Sequence, residues 1–80
     1  IKVEPPGKGD PMREWGRHRH KGRPLWWPIL ARNKKSITLD LRKPEGQRVA
    51  LDLASRCDIV LENFRPGTIE KWGLGYDRLR

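Results

Sequence analysis

Only one cysteine, one phenylalanine, one tyrosine and one methionine occur in the 80 residues. A lone thiol closes no internal disulfide, which excludes a disulfide-stapled secreted domain. Cys57, just ahead of the apolar run DIVL, reads as a small buried residue rather than a nucleophile. Hydrophobic residues make up only 35% of the chain, a thin supply for a self-sufficient core at this length. No stretch approaches the roughly eighteen apolar residues of a bilayer span, and no charged-then-apolar leader opens the chain. A cytoplasmic protein that does not enter membranes is expected. The His18–His20 pair has no Cys or acidic partner nearby to complete a ligand shell, so no metal site is expected.

What is abundant is positive charge, and it is concentrated. The formal net charge is +8. Between Met12 and Lys35 stand Arg13, Arg17, Arg19, Lys21, Arg23, Arg32, Lys34 and Lys35 against Glu14 alone, while the remainder is nearly neutral. Such a stretch suits an anionic partner or a solvated loop equally well. Trp15, Trp26 and Trp27 lie within it, and aromatic residues of that size normally pack against something.

Two regimes follow one another along the chain. IKVE opens it as a strand over residues 1–4. Residues 5–35 carry Pro5, Pro6, Gly7, Gly9, Gly16, Gly22, Pro24 and Pro28 without a sustained period, and predict a long basic connection. From residue 36 the pattern is regular. Ile37, Leu39 and Leu41 alternate with polar residues as a strand over 37–41. Pro44 and Glu45 suit the first turn of a helix reaching about Arg56, with Val49, Leu53 and Ala54 on its apolar face. The apolar run within 58–62 predicts a second strand, parallel to the first and covered on both faces. Thr68 is placed to cap a short helix that Gly73 closes, and Tyr76 precedes an N-cap Asp77. Strand, helix, strand with short connections predicts an α/β fold containing a βαβ unit of a Rossmann-like parallel sheet. The opening without Met and the helix beginning at the end suggest an internal piece of a larger protein.

In parallel sheets ligands gather beyond the carboxyl ends of the strands, where LDLRK and ENFRPG fall. A ring there stacks on a flat base and a guanidinium forks onto phosphate. Phe64 reads either as such a stacking residue or as a lid over the core, and Arg65 either as a phosphate ligand or as a solvated base.

The blocks IKVEPPGKGDPMREWG, ARNKKSITLDLRKPEGQ and DIVLENFRPGTIEKWGLGYDRL resemble, in order and spacing, the class III CoA-transferase family, which includes formyl-CoA transferase, carnitine CoA-transferases and α-methylacyl-CoA racemase. Only RHRHKGRPLWWP is individual to this chain. The resemblance implies a large Rossmann-like domain, an acyl-CoA and a carboxylic acid as substrates, no further cofactor, and a homodimer of interlocked chains. It implies that CoA runs along Leu39, Asp40, Leu41 and Arg42 and touches Asn63, Phe64, Arg65 and Lys71. Formyl-CoA transferase has Gly where Arg65 stands. Some members carry a CoA-contacting Arg where this chain has Pro5, with Lys8 or Arg13 as neighbouring bases to compensate. The family nucleophile, an aspartate that takes the acyl group as a mixed anhydride before an enzyme-bound CoA thioester forms, is implied beyond Arg80. No catalytic residue is therefore expected here, and Asp40, Asp58 and Glu62 read as structural. A racemase of the same family is the alternative. A nucleic-acid-binding module would account for the basic stretch and tryptophans but not for ENFRPG, so no nucleic-acid partner is expected.

Overall fold

A computed structural model describes all residues, Ile1–Arg80, as two compact units, Ile1–Thr38 and Leu39–Arg80. In the first, β1 (Lys2–Glu4) and β4 (Ser36–Thr38) are parallel neighbours, with Lys2 opposite Ser36 and Glu4 opposite Thr38. Strand alternation puts Lys2 and Glu4 on one face. The chain between the two strands is built rather than irregular. Asp10 caps a 3-10 turn over Pro11–Glu14, its Oδ1 accepting from the Met12 N–H at 2.9 Å. β2 (Arg19–His20) and β3 (Arg23–Pro24) then form an antiparallel hairpin. Lys21 and Gly22 make its turn at φ 51° and 76°, the paired left-handed conformations that match the twist of two-residue hairpins. α1 (Trp26–Leu30) follows, and Pro28 is tolerated because it lies in the first turn, where its missing N–H leaves no bond unmade.

The second unit holds α2 (Pro44–Ala54), α3 (Thr68–Lys71) and α4 (Tyr76–Leu79). Pro44 opens α2 at its first position, as its fixed φ favours. Val49 is half-exposed, so the apolar face is only partly covered. α3 ends in a paired cap. The Gly73 N–H donates to the Glu70 carbonyl at 2.9 Å and the Leu74 N–H to the Ile69 carbonyl at 3.0 Å, with Gly73 at φ 71°. Leu74, 4% exposed, is thereby turned inward. Nothing crowds a Cβ at Gly73, so Gly73→Ala acts through backbone conformation alone. It is expected to cost about 1 kcal/mol, read as a lower urea midpoint of the full-length protein; an unchanged midpoint contradicts the cap.

The architecture is a small α/β arrangement of a parallel two-stranded sheet, a hairpin and short helices. Several sequence expectations are corrected. The strand expected over 37–41 covers Ser36–Thr38, and its parallel neighbour is β1 instead of residues 58–62. Residues 58–62 pair with no strand in the chain, and Ile59 and Leu61 are 84% and 94% exposed. A parallel strand buried on both faces needs neighbours to bond and cover it, and none of these 80 residues supplies them. The βαβ unit is thus not formed between these segments. Cys57, expected to be buried, is exposed and free. α3 is capped by Gly67 at φ 86° rather than by the Thr68 side chain, and Tyr76 sits inside α4 behind the cap residue Gly75. No helix is long and apolar enough to cross a membrane.

Candidate functional site

The segment after β4 turns sharply, and its own side chains hold the turn. Asp40 Oδ1 accepts from the backbone N–H of Arg42 at 3.1 Å and from its Nε at 2.9 Å, while Oδ2 accepts from Nη2 at 3.1 Å. This forked pair fixes the guanidinium and holds the Asp40 carboxyl below its ordinary range, the Arg42 side-chain hydrogen bonds being the main cause. Gln47, one turn into α2, reaches back so that its Nε2 donates to the Leu41 carbonyl at 2.9 Å. The 40–43 turn is thus tied to α2 by a side-chain amide and oriented from within by a carboxylate.

Arg42, Gln47, Thr68, Lys71 and Trp72 line one cavity of about 490 Å³. Its floor is aromatic. Phe64 meets Trp72 edge to face, ring centroids 5.1 Å apart at 77°, and its backbone N–H donates to Glu62 Oε2 at 2.8 Å, which shapes the ENF turn. Phe64 remains 43% exposed, so the ring is neither a closed lid nor a free stacking surface: one edge is packed and part of it is open. Two bases separated by an amide, a hydroxyl and an indole can receive a phosphate together with a flat group.

Of the eight residues anticipated from the sequence, Arg42 and Lys71 line this cavity, and Phe64 packs on its Trp72 wall. Asp40 serves the same site indirectly, because its carboxylate is engaged with Arg42. Leu39 and Leu41 are half-buried, and the Leu41 carbonyl is taken by Gln47. Asn63 and Arg65 are exposed and do not line the cavity. Of the two bases considered as substitutes for an arginine at Pro5, Arg13 is engaged: it forks onto Glu4 through Nε at 2.7 Å and Nη2 at 2.8 Å, and its guanidinium stands 4.4 Å from the Trp27 ring centroid. Lys8 is exposed. Gln47, Thr68 and Trp72 were not anticipated. Gln47 is four residues into PEGQ beside the turn that it ties, and Trp72 stands one position from Lys71, so the signal for both was adjacency to residues already singled out.

The model of CoA-transferase family III matches residues 1–80. The chain belongs to this family. Among curated relatives, the succinyl-CoA–D-citramalate CoA-transferase of Chloroflexus aurantiacus is 75% identical over 79 residues, covering 99% of this chain and 20% of the relative. The beta subunit of the succinyl-CoA–L-malate CoA-transferase of the same organism is 51% identical, again over 99% of this chain and 20% of the relative. Among solved structures, a CaiB/BaiF family protein from Brucella suis superposes with a TM-score of 0.82 at 38% identity, covering 98% of this chain and 21% of that one. The family III chain described here therefore spans about a fifth of the length of the curated relatives it matches.

Proposed function

We propose that this segment contributes CoA-nucleotide contacts to an enzyme that transfers CoA from an acyl-CoA donor to a carboxylic acid acceptor. The observation that carries the reading is the convergence of Arg42 and Lys71 on one cavity floored by Trp72, with Phe64 against it. A CoA nucleotide presents phosphates and an adenine side by side, and this lining offers the complementary charges and ring. The succinyl-CoA–D-citramalate transferase at 75% identity supports a succinyl-CoA donor and a hydroxylated dicarboxylic acid acceptor. Family chemistry runs through an aspartyl mixed anhydride, and that nucleophile lies outside these residues. The full-length protein acts as an interlocked dimer, of identical chains or of related chains, as the separately named alpha and beta subunits of one relative suggest.

The test is steady-state kinetics of the full-length protein with succinyl-CoA. Lys71→Ala is expected to raise the KM for the donor about tenfold, and Phe64→Ala about fivefold, with kcat little changed, because nucleotide contacts are made equally in ground and transition states. Variants that fold normally and keep the parental KM refute the assignment of this cavity to CoA.

A further inference from the structure

Glu4 is the most deeply buried polar side chain of the molecule, 2% exposed on a strand of three residues. Its carboxylate is fully engaged. Oε1 accepts from Arg13 Nε at 2.7 Å and from the Asp10 N–H at 2.9 Å, and Oε2 accepts from Arg13 Nη2 at 2.8 Å and from the Ser36 hydroxyl. These donors come from three places in the chain: the cap and body of the 3-10 turn and the start of β4. Asp10 is tied in turn by Lys2, which shares the Glu4 face of β1. Gly9 lets the loop come this close, since at φ 75° an added Cβ would stand 3.0 Å from both Arg13 Nε and Glu4 Oε1.

The contacts continue outward from Arg13. Its guanidinium lies over Trp27 of α1, so one face rests on an indole while its edge forks onto a carboxylate. Glu14, next along the same 3-10 turn, receives Arg19 Nη2 on its carbonyl at 3.3 Å and pairs with the Arg19 guanidinium at 3.6 Å. The hairpin that bears Arg19, Lys21 and Arg23, all exposed, is therefore attached to the turn that Glu4 anchors.

We infer that Glu4 is a positioning residue: through Arg13 it fixes the basic, tryptophan-bearing loop between β1 and β4 in one conformation before substrate arrives. A stretch this rich in glycine and like charge would otherwise sample many conformations, and ordering it during binding would weaken binding. The carboxylate both neutralises the charge nearest the strand and supplies acceptors to donors from separate segments. Its consequence for turnover rests on the transferase reading above; its consequence for the loop does not.

The experiment compares full-length wild type, Glu4→Gln and Arg13→Lys. Glu4→Gln retains the side-chain shape but loses the charge and an acceptor, and Arg13→Lys retains the charge but loses the fork. Both are expected to increase amide hydrogen exchange across residues 5–35 about tenfold while exchange across 44–54 stays at the wild-type level, and Glu4→Gln to lower kcat/KM several-fold. Loop exchange that rises with unaltered kcat/KM overturns the positioning role, and a protein with no CoA transfer even as wild type overturns the functional reading while the exchange result still decides the loop. Exchange that is unchanged, or that rises equally across 5–35 and 44–54, also overturns the inference, since the second pattern marks a purely structural carboxylate. If Glu4→Gln fails to fold, Arg13→Lys carries the same comparison, because Arg13 is 40% exposed and lysine keeps a cation beside the buried Glu4 carboxylate.

Discussion

Gly46→Ala is expected to destabilise the full-length protein by about 3 kcal/mol and to raise the KM for acyl-CoA, although helix propensity alone favours alanine by about 1 kcal/mol. Gly46 occupies the third position of α2, with ordinary helical geometry, so a strained φ is not the reason for glycine here. The reason is contact. A Cβ at this position would overlap the Asp40 carbonyl oxygen and stand 2.8 Å from its carbonyl carbon, so the helix and the preceding turn meet backbone to backbone. Backbone atoms cannot rotate away as the end of a long side chain can. Accommodating one methyl group must displace either α2 or the 40–43 turn, and that turn carries Arg42 together with the carboxylate that aims it. Stability and donor affinity should therefore fall together, measured by urea denaturation and by the dependence of rate on succinyl-CoA. A stability gain near 1 kcal/mol would mean that helix propensity prevails and that the close approach is not maintained.

Acidification gives the second large effect. The Glu4 carboxyl is lowered from 4.5 to about 2, chiefly by the Arg13 side-chain hydrogen bonds and further by the Ser36 and Asp10 donors, which together outweigh the upward push of burial. The groups that face it are Arg13 and Asp10 from the 3-10 turn, Ser36 from β4 and Lys2 from its own strand. A carboxyl whose folded pKa is depressed contributes its full stabilisation above the unfolded value and loses it as pH falls towards the folded one. Loop order should accordingly be constant above about pH 5 and decay between about pH 4.5 and pH 2. Asp10 shifts in the same direction: burial opposes ionisation there, but the Lys2 hydrogen bond and the Met12 N–H outweigh it. Iodide quenching of tryptophan fluorescence during acid titration follows the loop, and Glu4→Gln should flatten that part of the profile. An identical acid profile in wild type and Glu4→Gln would assign the transition to other carboxyls.

How far the sequence revealed the molecule depended on whether an element is stabilised locally. α2 was legible because Pro44, Glu45 and the spacing of its apolar residues act within a few turns, and the closure of α3 by Gly73 was legible because its left-handed φ favours glycine. The hairpin at Arg19–Pro24 escaped notice since Lys21 stands where Asn or Asp would announce a two-residue turn, and Gly22 alone is ambiguous. The pairing of β1 with β4 was missed for a different reason. Parallel strands meet across long separations, so nothing near IKVE or SIT names its partner, whereas the alternation in SITLDL and the apolar run in DIVL suggested each other only by proximity. In the candidate site, Arg42, Phe64 and Lys71 were within reach of a family resemblance, but the engagement of Asp40 by Arg42 and of Arg13 by Glu4 depends on how the chain folds back on itself. Charge type shows in sequence; which opposite charge occupies it does not.

Residues Ile59–Leu61 bear on how this chain behaves in company. Three apolar β-formers with unused backbone donors and acceptors are a template onto which another copy of the same stretch can add. Asp58 and Glu62 bracket the triplet, and both are exposed. In a parallel, in-register stack each copy would set Asp58 against Asp58 and Glu62 against Glu62 at the strand spacing of about 4.8 Å, where like charges repel. The acids thus act as gatekeepers against fibril-like self-association of the chain through this stretch.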